Sequence, residues 1–233
     1  MRSRLVDCGL ILSLLNMEKT TKTILQSLKI VLFFILTSVW FGSGNVILDA
    51  AVGFLSGCLQ TVIHELGHLL GGLISGHRFF SVVFGVIGIG REENGRLRMY
   101  VTDRYACQCI MLPTENHCLL YNLGGIVMNL AVSAVFLYIL RFADGIWIFS
   151  MIYTGVVKAV INMIPLYTND SGIVRKLYGS ETERANYFVY MNAYEAYVYG
   201  HKTEYPLDES CRSGFFYSEY LNLHNELNQQ NRA

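Results

Sequence analysis

Long apolar stretches alternate with polar ones along the chain, and their lengths carry the first inference. Residues 30–48 contain no charged side chain; residues 50–76 carry only Glu65; residues 118–140 carry none; residues 145–167 are interrupted by Lys158. About 20 apolar residues cross a bilayer as a helix, so the pattern predicts four membrane spans. Gly42-Ser43-Gly44-Asn45 predicts a break between the first and second.

Between the second and third spans the period changes. Residues 79–89 are rich in valine, phenylalanine and isoleucine, and residues 96–101 alternate polar with apolar across the turn pair Asn94-Gly95. That predicts a β-hairpin. An open sheet edge cannot face lipid, so the hairpin belongs in water or against protein. After Gly172 the chain turns polar. Ser180-Glu181-Thr182-Glu183 has the form of a capping box opening a helix. Tyr187, Met191, Tyr194 and Val198 then recur at helical spacing as a packing stripe, Pro206 ends the element, and a second helix is expected over about 208–228.

The expected fold is an all-α membrane protein: a four-span helical bundle with a cytoplasmic-side β-hairpin insert and a small helical C-terminal tail. Residues 1–27 form an N-terminal segment, 28–172 the membrane core and 173–233 the tail.

Composition agrees with a bilayer as solvent. Of 233 residues, 52% are hydrophobic and only 15% charged, against about a quarter charged in soluble domains. Lys plus Arg and Asp plus Glu both number 18, a balance that offers no basic face for nucleic acid. Basic residues precede the first span (Arg2, Arg4, Lys19, Lys22, Lys29) and follow the second (Arg78, Arg91, Arg96, Arg98, Arg104). The positive-inside rule then places both termini and the hairpin in the cytoplasm. Met17 opens a second plausible start, and residues 2–16 are too short to span. The six cysteines have no spacing of a disulfide framework or paired zinc motif, and Cys107 and Cys109 read as free thiols.

The second span holds the chemistry: His64-Glu65-Leu66-Gly67-His68. Two histidines one helical turn apart share a face and can bind one zinc ion, with Glu65 beside them as general base. An ionisable cluster within an apolar span marks a functional site, because lipid penalises charges without partners. A catalytic zinc takes three protein ligands and keeps one position open. Asp170, after the helix-breaking Pro165, is the best third ligand. Lys158, one turn before Asn162, either snorkels to the interface or lines a water path to the metal. Gly67, Gly71, Gly72 and Gly76 allow close helix approach.

Together these motifs resemble the site-2 protease family of intramembrane zinc metalloproteases, which pairs an intramembrane H-E-x-x-H with a downstream N-x-x-P-x-x-x-x-D-G. Asn162, Pro165 and Asp170 stand at that spacing, with Ser171 inserted before the glycine; Gly125 and Asn129 are similar to the family's G-x-x-x-N. The hairpin also resembles a membrane-associated β-element of that family. The resemblance covers residues 30–172. It implies that His64, His68 and Asp170 ligate Zn2+, that Glu65 is the catalytic base and then proton donor, and that Asn129 and Asn162 bind substrate backbone or shape the cavity. It further implies hydrolysis of a membrane protein or peptide at or near a membrane segment, by a multi-pass protein of a bacterial cell membrane. The rivals are a catalytically silent scaffold of the same fold and a metal transporter; an intact Glu65 beside the ligands favours the enzyme.

Overall fold

The computed structural model describes residues 45–114, 119–165, 169–199 and 211–230, with single positions at 24, 28, 31, 32 and 35. Among the described residues three helices are long and apolar enough to cross a membrane: α1 (Val46–Ile74), α2 (Leu119–Ile139) and α3 (Ile146–Met163). They match the second, third and fourth expected spans. The first expected span lies mostly outside the described residues. Its last residues, 46–48, belong to α1 instead, because the Asn45 side chain accepts from Leu48 N at 3.1 Å and starts that helix.

The bundle is polar inside and apolar outside. On α1, Ser56, Gln60, His64, Glu65 and His68 are buried, while Phe54, Leu55, Leu66 and Leu73 are exposed. Without hydrophobic attraction between helices in lipid, such a bundle depends on close backbone approach and interhelical hydrogen bonds. Glycines supply the approach. A Cβ on Gly67 would collide with the Gly124 carbonyl, one on Gly124 with Gly67 O, and one on Gly71 with Leu120 O. Gly72 makes room for Met111. Gly76 differs from the expected packing role: with φ of 74° it ends α1. There His77 N bonds Gly72 O and Gly76 N bonds Leu73 O, the two contacts of a Schellman turn.

The hairpin is longer than its alternation suggests. Antiparallel strands β1 (Arg78–Arg91) and β2 (Leu97–Leu112) flank a turn in which Gly95 takes φ 83°. The second strand thus runs well past residue 101. Residues 109–112 lose the period-two pattern because both faces of the hairpin base are covered. Cys109 and Met111 pack with Val82 toward Leu69 of α1 and Tyr121 of α2. Ile110 and Leu112 pack with Phe80 on the opposite side. A strand buried on both faces reads as a continuous apolar run.

Among its described residues the tail has three helices: α4 (Asp170–Gly179), α5 (Glu181–Val198) and α6 (Phe215–Gln230). The expected boundary at 172 falls inside α4, and the tail shares one core with the hairpin base: Phe80, Leu112, Leu177, Tyr187, Met191 and Phe216. Arg78 pairs with Glu195 at 2.5 Å, and Tyr199 Oη donates to Arg91 O at 2.8 Å. Ser180 Oγ accepts from Glu183 N as a cap. The Glu183 carboxylate, expected to reach back and close a capping box, instead accepts from Phe215 N and Phe216 N and caps α6.

Candidate metal centre

Helix geometry carries His64 and His68 to one buried face of α1, and α4 brings Asp170 against them. Asp170 Oδ2 lies 3.0 Å from His64 Nε2, Asp170 Oδ1 3.5 Å from His68 Nε2, and the two Nε2 atoms are 3.2 Å apart. Among the described residues this is the one group of three such side chains whose donor atoms gather closely enough for a metal ion. Residues more than 100 positions apart in sequence therefore meet, as the spacing rules anticipated.

Asp170 owes its position to two neighbours. Asn169 Oδ1 accepts from Gly172 N at 3.0 Å and starts α4, while Asn169 Nδ2 donates to Ile164 O at 2.6 Å and Ile161 O at 3.2 Å. One side chain thus ties the frayed carbonyls of α3 to the start of α4. Ser171, the inserted residue, donates from Oγ to Asn162 O at 2.6 Å and reinforces the same junction. Asn162 takes part through its backbone carbonyl and is half-buried at the end of α3.

The ring orientation of both histidines is decided on their far sides. His68 Nδ1 is 2.7 Å from Tyr121 O, a backbone carbonyl that can only accept, so Nδ1 carries the proton. His64 Nδ1 is 2.6 Å from Asn129 Oδ1. Asn129 Nδ2 donates to Gln60 O at 2.9 Å and Gln60 Oε1 at 2.7 Å, and Gln60 Nε2 donates to Met151 O at 2.9 Å. Gly125 stands where any Cβ would strike the His64 ring, so Gly125 and Asn129, one turn apart on α2, cradle that imidazole. Asn129, expected to bind substrate backbone or shape the cavity, is fully buried behind His64.

In the neutral rings, a hydrogen on each Nδ1 leaves two bare Nε2 lone pairs that face each other and a carboxylate. Asp170 Oδ2 is buried and lacks a hydrogen bond of good geometry, despite its 3.0 Å approach to His64. Such convergence of acceptors is unfavourable unless a cation sits among them. Burial alone would raise the Asp170 carboxyl, but the hydrogen bonds and charge of the two imidazoles in their protonated form outweigh it and hold the group below the usual carboxylate range. The donor set fits a metal ion on its own chemistry.

Glu65 is also buried. Its Oε2 accepts from the backbone N–H of Cys109 at 2.8 Å, and Cys109 O accepts from Tyr121 Oη at 2.9 Å. The hairpin base thereby fixes one carboxylate oxygen. Burial, aided by the charge of Glu65, pushes the Cys109 thiol up to about 12, so it stays protonated. Lys158 does not reach outward: Nζ donates to Thr61 Oγ1 at 2.7 Å, one turn before Glu65.

Sequence reading had not singled out Gln60, Asn169, Tyr121 or the Cys109 backbone. A signal for Gln60 existed, since Ser56, Gln60, His64 and His68 recur every four residues through an apolar helix. No family model, curated protein or solved structure matches this chain.

Proposed function

We propose that this chain is an intramembrane zinc metalloprotease of the site-2 protease family, hydrolysing a peptide bond in or near a membrane segment of a protein or peptide. The observation that supports this most is the meeting of buried His64 and His68 with half-buried Asp170, with buried Glu65 alongside, at helices long and apolar enough to span. Separations of 3.0, 3.2 and 3.5 Å compare with about 3.3–3.6 Å for the edge of a zinc tetrahedron with bonds of ~2.0–2.2 Å. Two imidazoles and a carboxylate are a set that leaves a fourth position open. Zinc bound there supplies a water nucleophile at neutral pH and polarisation of the scissile carbonyl.

The protein's own groups do the rest. Glu65 takes the proton from the attacking water and returns it to the leaving amine. Cys109 N–H holds Oε2, which leaves Oε1 as the proton-accepting oxygen. His64 and His68 keep their Nε2 lone pairs toward the metal. The surrounding spans exclude bulk water from the reacting groups. A helical substrate hides its carbonyls, so it must unwind locally, and an edge of the β1–β2 hairpin receives the extended stretch by strand addition.

The test is cleavage of a model membrane peptide by the purified chain in detergent, beside Glu65→Gln. The wild type is expected to hold zinc and cleave, and the variant to hold zinc with cleavage reduced by at least about 10²–10⁴-fold, the usual worth of a general base. Cleavage by Glu65→Gln at the wild-type rate would remove the assigned base. Cation uptake into vesicles without cleavage by the wild type would favour a transporter.

A further inference from the structure

The reading of a metal centre rests on His64 presenting Nε2 without a proton, and the groups that enforce this lie deep between the spans. We propose that Gln60 and Asn129 are positioning residues that lock His64 as its Nδ1–H tautomer, Gln60 acting through Asn129. This inference rests on the metal-binding reading of His64, His68 and Asp170.

The direction of each hydrogen bond is set from a fixed end. Met151 O is a backbone carbonyl and can only accept, so the Gln60 amide must turn its nitrogen toward it, at 2.9 Å. Gln60 Oε1 then faces Asn129 and requires a donor. Asn129 Nδ2 provides it at 2.7 Å and also serves Gln60 O, a second acceptor-only group, at 2.9 Å. Asn129 Oδ1 is thereby turned to His64 Nδ1 at 2.6 Å, and that nitrogen must carry the hydrogen. Turning over either amide would set like atoms against each other at several contacts in a fully buried space. Gln60 and Asn129 are both fully buried. Space for the Gln60 amide exists because α3 has Gly155 there, where a Cβ would strike it.

One relay therefore runs from the backbone of α3, through α1 and α2, to the metal-facing atom of His64. His68 needs no side-chain partner for the same purpose, because Tyr121 O does it directly. Groups that orient a metal-binding histidine from behind are commonly worth about 10–100-fold in metal affinity. A role in packing alone would leave the tautomer of His64 unchanged when the amides are replaced by apolar groups of similar shape.

The experiment uses the full chain in detergent: nitrogen NMR of labelled histidines in the metal-free protein at mildly alkaline pH, and zinc affinity by chelator competition. Wild type, Gln60→Met, Asn129→Leu and Ser133→Ala are compared. Ser133 is the control, because its hydroxyl bonds Asn129 O and not the amide relay. Wild-type His64 is expected as Nδ1–H. Gln60→Met and Asn129→Leu should mix the tautomers and weaken zinc about 10–100-fold, while Ser133→Ala changes neither. An Nε2–H tautomer in the wild type overturns the proposal, as does Gln60→Met with wild-type tautomer and zinc affinity. Should Gln60→Met fail to fold, the wild-type tautomer decides alone. A wild type that binds no zinc but shows His64 as Nδ1–H would refute the metal reading and leave the relay standing.

Discussion

The bundle and the tail bury opposite things. Between α1, α2 and α3 the interior holds Gln60, His64, Asn129, Ser133, Ser150 and Thr154, and leucines and phenylalanines point outward. Among α4, α5 and α6 the interior is mainly Leu177, Tyr187, Met191 and Phe216, with Asn186 as a buried polar exception and Arg175, Glu181 and Asn192 outward. The difference teaches which force holds each half. In a bilayer the surrounding lipid is as apolar as leucine, so for helices of this length and apolarity cohesion would come from glycine contacts and hydrogen bonds. In the tail, removal of apolar surface from water supplies it. The hairpin base joins the two, with Cys109 and Met111 facing the spans and Ile110 and Leu112 facing the tail.

The comparison can be broken at its strongest point. Gly124→Leu should force α1 and α2 apart, because even a Cβ there collides with backbone. Loss of the metal site and of a folded bundle is expected, read by zinc content and helix signal in detergent. Gly57→Ala, where nothing lies within 4 Å of the added Cβ, should leave both intact. A tolerated Gly124→Leu would show that backbone approach does not hold the spans. A smaller effect is expected in the tail. Phe216→Ala removes an almost wholly buried ring and should destabilise α5 and α6 by about 3–5 kcal/mol. Zinc should be retained, since Asp170 is anchored to the end of α3 by Asn169 and Ser171. Denaturant unfolding followed beside zinc content separates the two halves; simultaneous loss of both would mean the tail and the centre are one cooperative unit.

The chain's pattern made the second, third and fourth expected spans legible because their length and lack of charge have one reading in a bilayer. His64, Glu65, His68 and Asp170 were legible because spacing alone places the histidines and Pro165 frees the segment that aims the acid. The length of β2 was hidden, since a doubly covered strand shows no alternation. Gln60 and Asn169 were hidden for another reason. Each is a single polar residue whose importance lies in partners far along the chain: Asn129 and Met151 for Gln60, and for Asn169 the closing carbonyls of α3. Glu183 had the right spacing for a local cap, yet the nearby N-terminus of α6 took its carboxylate.

The central claim is that two segments distant in sequence complete one zinc centre. The most direct measurement is zinc content per chain, by elemental analysis after exhaustive dialysis, for the wild type and Asp170→Ala. The account predicts about one zinc in the wild type, as expected for three protein ligands around one ion, and little or none in Asp170→Ala with the helix signal unchanged. Zinc absent from the wild type, or held equally well without Asp170, would contradict it.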